Sequence, residues 1–217
     1  MKRAGKIIKW LLPPGALLGA LFTSLAVYDA ATGSRPFLTT SSPGGAYAVN
    51  LTGRKERPFL FPNTVSYHVL KGGQPFLPSR PLHSASDFMD LSFEAGYPDF
   101  RWVNESTIQL YLEQHLKDDE PDALVVVNET EQAIKYLEVH SVDKFLLFDL
   151  QPGAATELSN SRPRSDYKSV SVSGEFLDGR SIGKGWAALK PARGSARPFT
   201  YRVYVRGDGV VIEGPRP

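Results

Sequence analysis

Short runs of alternating apolar and polar residues, turn pairs between them, and prolines placed where a helix would have to run predict a mainly β protein behind one N-terminal helix. The alternation is plainest where Val170 and Val172 oppose Ser169, Ser171 and Ser173, because a period of two puts the valines on one face of a strand. The turn chemistry is plainest at Lys71-Gly72-Gly73-Gln74 and Asp178-Gly179. Prolines at 58, 62, 75, 78, 81 and 98 deny the first half a long helix. The 217 residues are 41% hydrophobic and 22% charged, a globular balance that excludes wholesale disorder and coiled coil. The absence of cysteine excludes disulfides, thiol catalysis and cysteine-ligated metals.

The first element is the N-terminal helix. Lys2, Arg3, Lys6 and Lys9 form a basic head, and Trp10 to Tyr28 then run uncharged to Asp29. A basic head before an apolar run is read by the secretion machinery, with the positive end kept in the cytoplasm. Residues 1–29 are therefore assigned as a signal peptide or transmembrane anchor. Ser24-Leu25-Ala26 offers the small residues a signal peptidase inspects, whereas the 19 uncharged residues approach the ~20 that cross a bilayer. Pro13-Pro14-Gly15 falls near the cytoplasmic end, where a kink is tolerable. The expected location is the bacterial inner membrane, single-pass, with residues 30–217 in the periplasm, or a periplasmic product if cut near Ala26. A cysteine-free exported domain fits a bacterial envelope better than a eukaryotic secretory route.

Residues 30–45 have the Ala, Thr, Ser, Gly and Pro content of a linker. Residues 46–113 read as a small antiparallel meander. Tyr47 and Val49 share one face, and Val65, Tyr67 and Val69 share another; a further strand is expected over 87–93. Phe100 to Val103 and Thr107 to Leu112 flank the turn Asn104-Glu105-Ser106. The Ser42-Pro43-Gly44-Gly45-x-Tyr47 opening, with Phe100-x-Trp102 and its short hairpin, resembles one blade of a β-propeller. Some seventy residues carry the likeness and it occurs once, so it implies a meander and no closed propeller.

Residues 120–217 are expected to form an Ig-like antiparallel β-sandwich. Leu124-Val125-Val126-Val127 is a continuous apolar run, as for a strand covered on both faces, and Phe145-Leu146-Leu147-Phe148 is a second run. Ala133 to Val142 reads as a strand, with a helix over Glu129 to Val139 as its competitor through the i,i+4 pair Glu131 and Lys135. Pro152-Gly153 is a turn, and Tyr167 to Phe176 is the alternating strand described above. Gly183-Lys184-Gly185-Trp186 reads as a turn, since it lacks the spacing of a phosphate loop. Tyr201, Val203 and Val205 alternate with Arg202 and Tyr204, and Asp208-Gly209 closes a hairpin into Val210-Val211-Ile212. That hairpin absorbs the tripeptide Arg206-Gly207-Asp208. Trp102 and Trp186 are expected to pack against sheets, because indoles bury a large area.

Charge is unevenly placed. Residues 1–80 hold 10 basic and 2 acidic side chains, residues 81–160 hold 4 and 16, and residues 161–217 hold 11 and 5. Such polarity gives surface fields of opposite sign or faces that neutralise one another. Two clusters stand out as candidate protein-interaction residues: Asp118, Asp119, Glu120 and Asp122 in an acidic stretch, and Arg202, Tyr204 and Arg206 on one strand face. The acidic stretch lacks the spacing of a calcium loop. His68, His83, His115 and His140 have no zinc spacing, and no Gly-x-Ser-x-Gly occurs, so no metal, cofactor or catalytic residue is assigned. Nucleic acid is disfavoured, because the basic tail is broken by Gly and Pro.

These features point to a non-enzymatic, membrane-anchored periplasmic β-domain that binds a protein partner. Two versions are open, an immunity-type inhibitor and an accessory subunit of an envelope complex. The rivals are an envelope hydrolase acting on glycan or lipid and a secreted glycoprotein. The last draws on the sequons Asn50-Leu51-Thr52, Asn104-Glu105-Ser106 and Asn128-Glu129-Thr130, which are equally the residues that crowd at turns.

Overall fold

The computed structural model describes residues 19, 21–24, 35–53, 66–82, 99–111, 122–141, 143–160, 168–189 and 200–216. Most of the expected anchor and the expected strand at 87–93 lie outside the described residues. Within 1–29, residues 21–24 are helical, and Thr23 Oγ1 donates to the Gly19 carbonyl at 2.8 Å. No helix among the described residues is long and apolar enough to cross a membrane.

The chain is mainly β. Its strands are β1 (Arg35–Ser41), β2 (Tyr47–Gly53), β3 (Ser66–Lys71), β4 (Gln74–Pro81), β5 (Asp99–Asn104), β6 (Thr107–Tyr111) and β7 (Asp122–Asn128). They continue with β8 (Ile134–His140), β9 (Lys144–Leu150), β10 (Ala155–Asn160), β11 (Lys168–Phe176), β12 (Ser181–Leu189), β13 (Thr200–Arg206) and β14 (Gly209–Arg216). Among the described residues they form three sheets: a meander sheet β1-β2-β3-β4, a central sheet β12-β11-β8-β9-β6-β5, and a distal sheet β10-β7-β13-β14. The β7–β13 ladder is parallel, and the other ladders among the described residues are antiparallel.

The order of layers follows from which side chains share a core. On β9, Phe145, Leu147 and Leu150 enter one core with Leu124, Val126, Tyr201, Val203 and Val205 of the distal sheet. Leu146 and Phe148 enter the other with Tyr47, Val49, Tyr67 and Val69 of the meander sheet. The central sheet is thus covered on both faces at β9, which explains the unbroken apolar run there. The other run behaves differently. In β7, Leu124 and Val126 are fully buried and Val125 and Val127 are half-buried, so only one face is covered. A mostly valine run suits the middle of a sheet as well as a fully covered strand, and composition alone does not separate the two.

The layers are staggered. The meander-side core takes residues from β6, β8 and β9 of the central sheet, while the distal-side core takes them from β8, β9, β11 and β12. Among the described residues, nothing of the meander-side core reaches over β11 and β12 beyond β4. At the opposite end, β5 and β6 continue the central sheet beyond β9 rather than closing with β1–β4.

Several expectations need correction. Residues 35–41, assigned to a linker, form β1 and pair with β2, since Leu38 to Thr40 suit an edge strand despite the small polar residues around them. Gly183 to Trp186 is no turn but the middle of β12. There the glycines allow close approach: a Cβ at Gly185 would sit 2.6 Å from Val210 Cγ1, and Gly183 N–H donates to the Asp208 carbonyl at 2.6 Å. β10 went unread because Ala155 to Asn160 contains a single large apolar residue, Leu158, which is fully buried. The hairpin of β13 and β14 turns on Gly207-Asp208, with Gly207 at φ 57°, one residue earlier than expected. Across 129–139 the strand prevails over the helix. Its irregular pattern comes from a bulge at Lys135, which sends Ile134 to the distal side and Tyr136 to the meander side.

Polar side chains fasten the layers. Glu105, in the β5–β6 turn, accepts from the Ser42 hydroxyl and from the backbone N–H groups of Gly44 and Ala46, gripping the β1–β2 turn. The Ser42 hydroxyl and those N–H groups hold its carboxyl below the ordinary range. Gln109 Nε2 donates to the Ser159 carbonyl of edge strand β10 at 3.0 Å. Asp149 has φ 50°, a region Asp enters more readily than most residues, and its carboxylate accepts from Tyr47 and Lys71 of the meander sheet. Burial, then the Asp149 carboxylate, pushes the Tyr47 phenol upward.

Asn128 ties the β7–β8 loop together. It is fully buried, with Nδ2 donating to the carbonyls of Gln132 (2.8 Å) and Leu150 (3.0 Å) and Oδ1 accepting from Thr130 N–H and Oγ1. Its amide nitrogen, where a glycan would attach, is occupied by structure. Asn50 lies in β2, between β1 and β3, and Asn104 forms a turn by accepting from Ser106 N–H at 2.9 Å. Asn128→Ala should cost roughly 2–3 kcal/mol by orphaning buried loop groups. Urea unfolding checks this, and a loss under about 0.5 kcal/mol would contradict the tie.

Candidate functional site

The outer face of the distal sheet is built by alternation. Inward residues of β13 and β7 are committed to the core, so Arg202, Tyr204 and Arg206 must face outward with Val125 and Val127. The registers set them in rows. Glu157, Val125, Arg202 and Glu213 run across the four strands, followed by Ala155, Val127, Tyr204 and Val211. The second row is an apolar strip and the first is charged.

Tyr204 faces outward, yet it is only 8% exposed. The Arg206 guanidinium lies over its ring at 4.5 Å, and Arg202 Nη1 donates to its hydroxyl at 3.5 Å. A stacked guanidinium gains cation–π attraction and shields the ring from water. Arg206 Nε also donates to the Glu129 carboxylate, which that bond holds below the ordinary range. The same bond raises Arg206, and the bond to Tyr204 raises Arg202. Val211 remains 39% exposed at the β14 end of the strip, beside Tyr204. The arrangement is an ordered aromatic–arginine cluster with open aliphatic surface beside it and carboxylates at its border.

Of the seven residues singled out in sequence, three are brought together here. Asp118, Asp119 and Glu120 lie outside the described residues. Asp122 is the first residue of β7, the strand between β10 and β13. Val125, Val127 and Val211 were missed, since valines in a run read as core; counting the hairpin from Gly207-Asp208 would have set Val211 outward beside Tyr204.

No family model and no curated protein matches the chain. An NMR structure of a protein from Eubacterium rectale is 13% identical over 46% of this chain and 94% of that one, with a TM-score of 0.32, too loose a likeness to bear on fold or function.

An open groove of about 490 Å³ runs between the β7–β8 loop and the β11–β12 and β13–β14 turns, lined by Glu131, Gln132, Phe176, Arg180 and Asp208 among others. Its Arg180 is engaged by Asp178 at 2.8 Å and by Gln132. Among the described residues no three His, Asp or Glu side chains group as a metal site. Of the described histidines, His68 is on β3 and His140 ends β8, in different sheets.

Proposed function

We propose that this chain is a non-enzymatic protein-binding module of the bacterial envelope, and that the outer face of the distal sheet holds the partner. The observation that carries the reading is the convergence of Arg202, Tyr204 and Arg206 around an open valine strip. Interfaces place aromatic and arginine anchors near their centre, ring them with polar groups, and are depleted in charge at the core. Arg206 and Tyr204 are already ordered by Glu129 and by each other, so less side-chain entropy remains to be lost on binding. The reading takes β7–β14 as an Ig-like sandwich serving as carrier, supported by the core its two sheets share. It takes residues 1–29 as a signal or anchor, supported by the basic head and uncharged run.

A photo-crosslinking amino acid at Val211, in the full chain expressed in a bacterial envelope, should give one discrete protein adduct. The same probe at Val103, exposed on β5 of the central sheet, should not. Adding Arg202→Glu and Arg206→Glu should remove the Val211 adduct while thermal stability falls little. An equal adduct pattern from both positions would refute the assignment of this face.

A further inference from the structure

Trp186 contradicts the expectation that it packs against a sheet. It is 63% exposed, although burying an indole is among the larger gains a side chain offers. Trp102, by contrast, packs in the meander-side core and donates Nε1–H to Thr40 Oγ1 at 3.0 Å. The difference is one of layers. Val170 and Val172 face the distal sheet, so their paired neighbours Ala187 and Gly185 do too, and Ser171 with its partner Trp186 faces the other way. That other face is the one the meander sheet leaves open.

The open face has a definite chemistry. Ser169, Ser171 and Ser173 stand along β11 at every second position, about 7 Å apart. Ser171 is flanked by Trp186 on one side and His140 on the other. Lys184 and His140 are exposed at its border. Strand addition is obstructed at the neighbouring edge, because β4 carries Pro75, Pro78 and Pro81 and its ladder to β3 is twice irregular. Apart from the indole, Ala188 is the apolar side chain this face exposes on β12, too little for the core of a protein interface.

We propose that the β11–β12 shelf binds a glycan chain, with Trp186 as the stacking platform and the serine row as the hydrogen-bonding rail. A sugar ring has an apolar C–H face that covers an indole and a rim of hydroxyls that exchange hydrogen bonds with serines. Nine-residue strands give a shelf about 30 Å long, room for several sugar units. The site lies on the opposite side of the layers from the protein-binding face and stands independently of it.

The test titrates the full chain in detergent with three hexasaccharides, of β-1,4-linked N-acetylglucosamine, β-1,4-linked glucose and α-1,4-linked glucose, following tryptophan emission and heat. At least one should bind saturably with a blue shift. Trp186→Ala should weaken that binding by about tenfold or more with an unchanged circular dichroism spectrum, and Ser171→Val should weaken it less. Failure of all three to bind overturns the proposal. So does binding indifferent to Trp186→Ala, and so does self-association that Trp186→Ala abolishes, which would make the shelf a protein interface instead.

Discussion

Lys144→Met should cost about 3–5 kcal/mol of stability, because it leaves the Glu138 carboxylate ionised between two sheets without its cation. Lys144 Nζ sits 2.8 Å from Glu138 Oε1, with the two side chains only 6% and 18% exposed. The Tyr67 hydroxyl donates to the other oxygen at 2.7 Å, and Lys144 also lies 5.6 Å from the Tyr67 ring centre. The cluster bridges β3 to β8 and β9, so it fastens the meander sheet to the central sheet. The double variant Glu138→Leu/Lys144→Met should recover most of the loss, since a buried pair replaced by apolar groups of similar size is often nearly neutral. Chemical denaturation of the two single variants and the double variant decides. A single-variant loss below about 1 kcal/mol, or a double variant as weak as the sum of the singles, would refute the pairing.

Acid should act on the same cluster. Burial alone would raise the Glu138 carboxyl, but Lys144, Tyr67 and Arg80 outweigh it and hold the group below its ordinary value. A carboxyl depressed in the folded state binds protons less readily there than in the unfolded chain. Its contribution is therefore complete above about pH 4.3, the unfolded value, and is lost as pH falls through the folded one. In Lys144→Met the depression shrinks, so stability should start lower at neutral pH and this group's share of the acid-induced loss should be smaller than in the wild type.

Gly174→Val should be nearly as costly, roughly 3 kcal/mol or about 6–12 °C in Tm for a chain of this size. Gly174 lies on β11 opposite Leu137 of β8. A Cβ there would stand 2.5 Å from the Tyr136 carbonyl oxygen and 2.9 Å from Leu137 Cδ1. The carbonyl belongs to a strand held on both sides, by β11 and β9, so it has nowhere to retreat. The neighbouring Ser173→Val points to the open shelf and should change Tm by about 2 °C or less. Equal effects at 173 and 174 would mean the two strands are not so closely apposed.

The strands legible in sequence were those whose period was undisturbed. β11, with valines against serines, and β13, with Tyr201, Val203 and Val205 inward, could be read directly, as could the Gly72-Gly73 turn. Where the pattern is broken or faint the sequence was harder to read: the Lys135 bulge left a helix as rival to the strand that forms, the glycines of β12 read as a turn, and β10, whose one buried anchor is Leu158, had no mark. The stagger of the layers was not legible, because it depends on which sheet each strand joins, and ladder partners far apart in sequence leave no local mark. The same cause hid the exposure of Trp186. The Arg202, Tyr204 and Arg206 face was legible because all three lie on one strand at alternate positions; the valines completing it come from β7 and β14 and required the register.

The most direct measurement is the dissociation constant of the partner captured at Val211, purified, for the wild-type chain, Val211→Glu and Ala188→Glu. A carboxylate set into the apolar strip beside Tyr204 should weaken binding by about tenfold or more while Tm stays unchanged. Ala188→Glu, on the far side of the central sheet, should bind like the wild type. Equal affinity for all three chains would contradict the claim that the distal sheet's outer face is where this protein meets its partner.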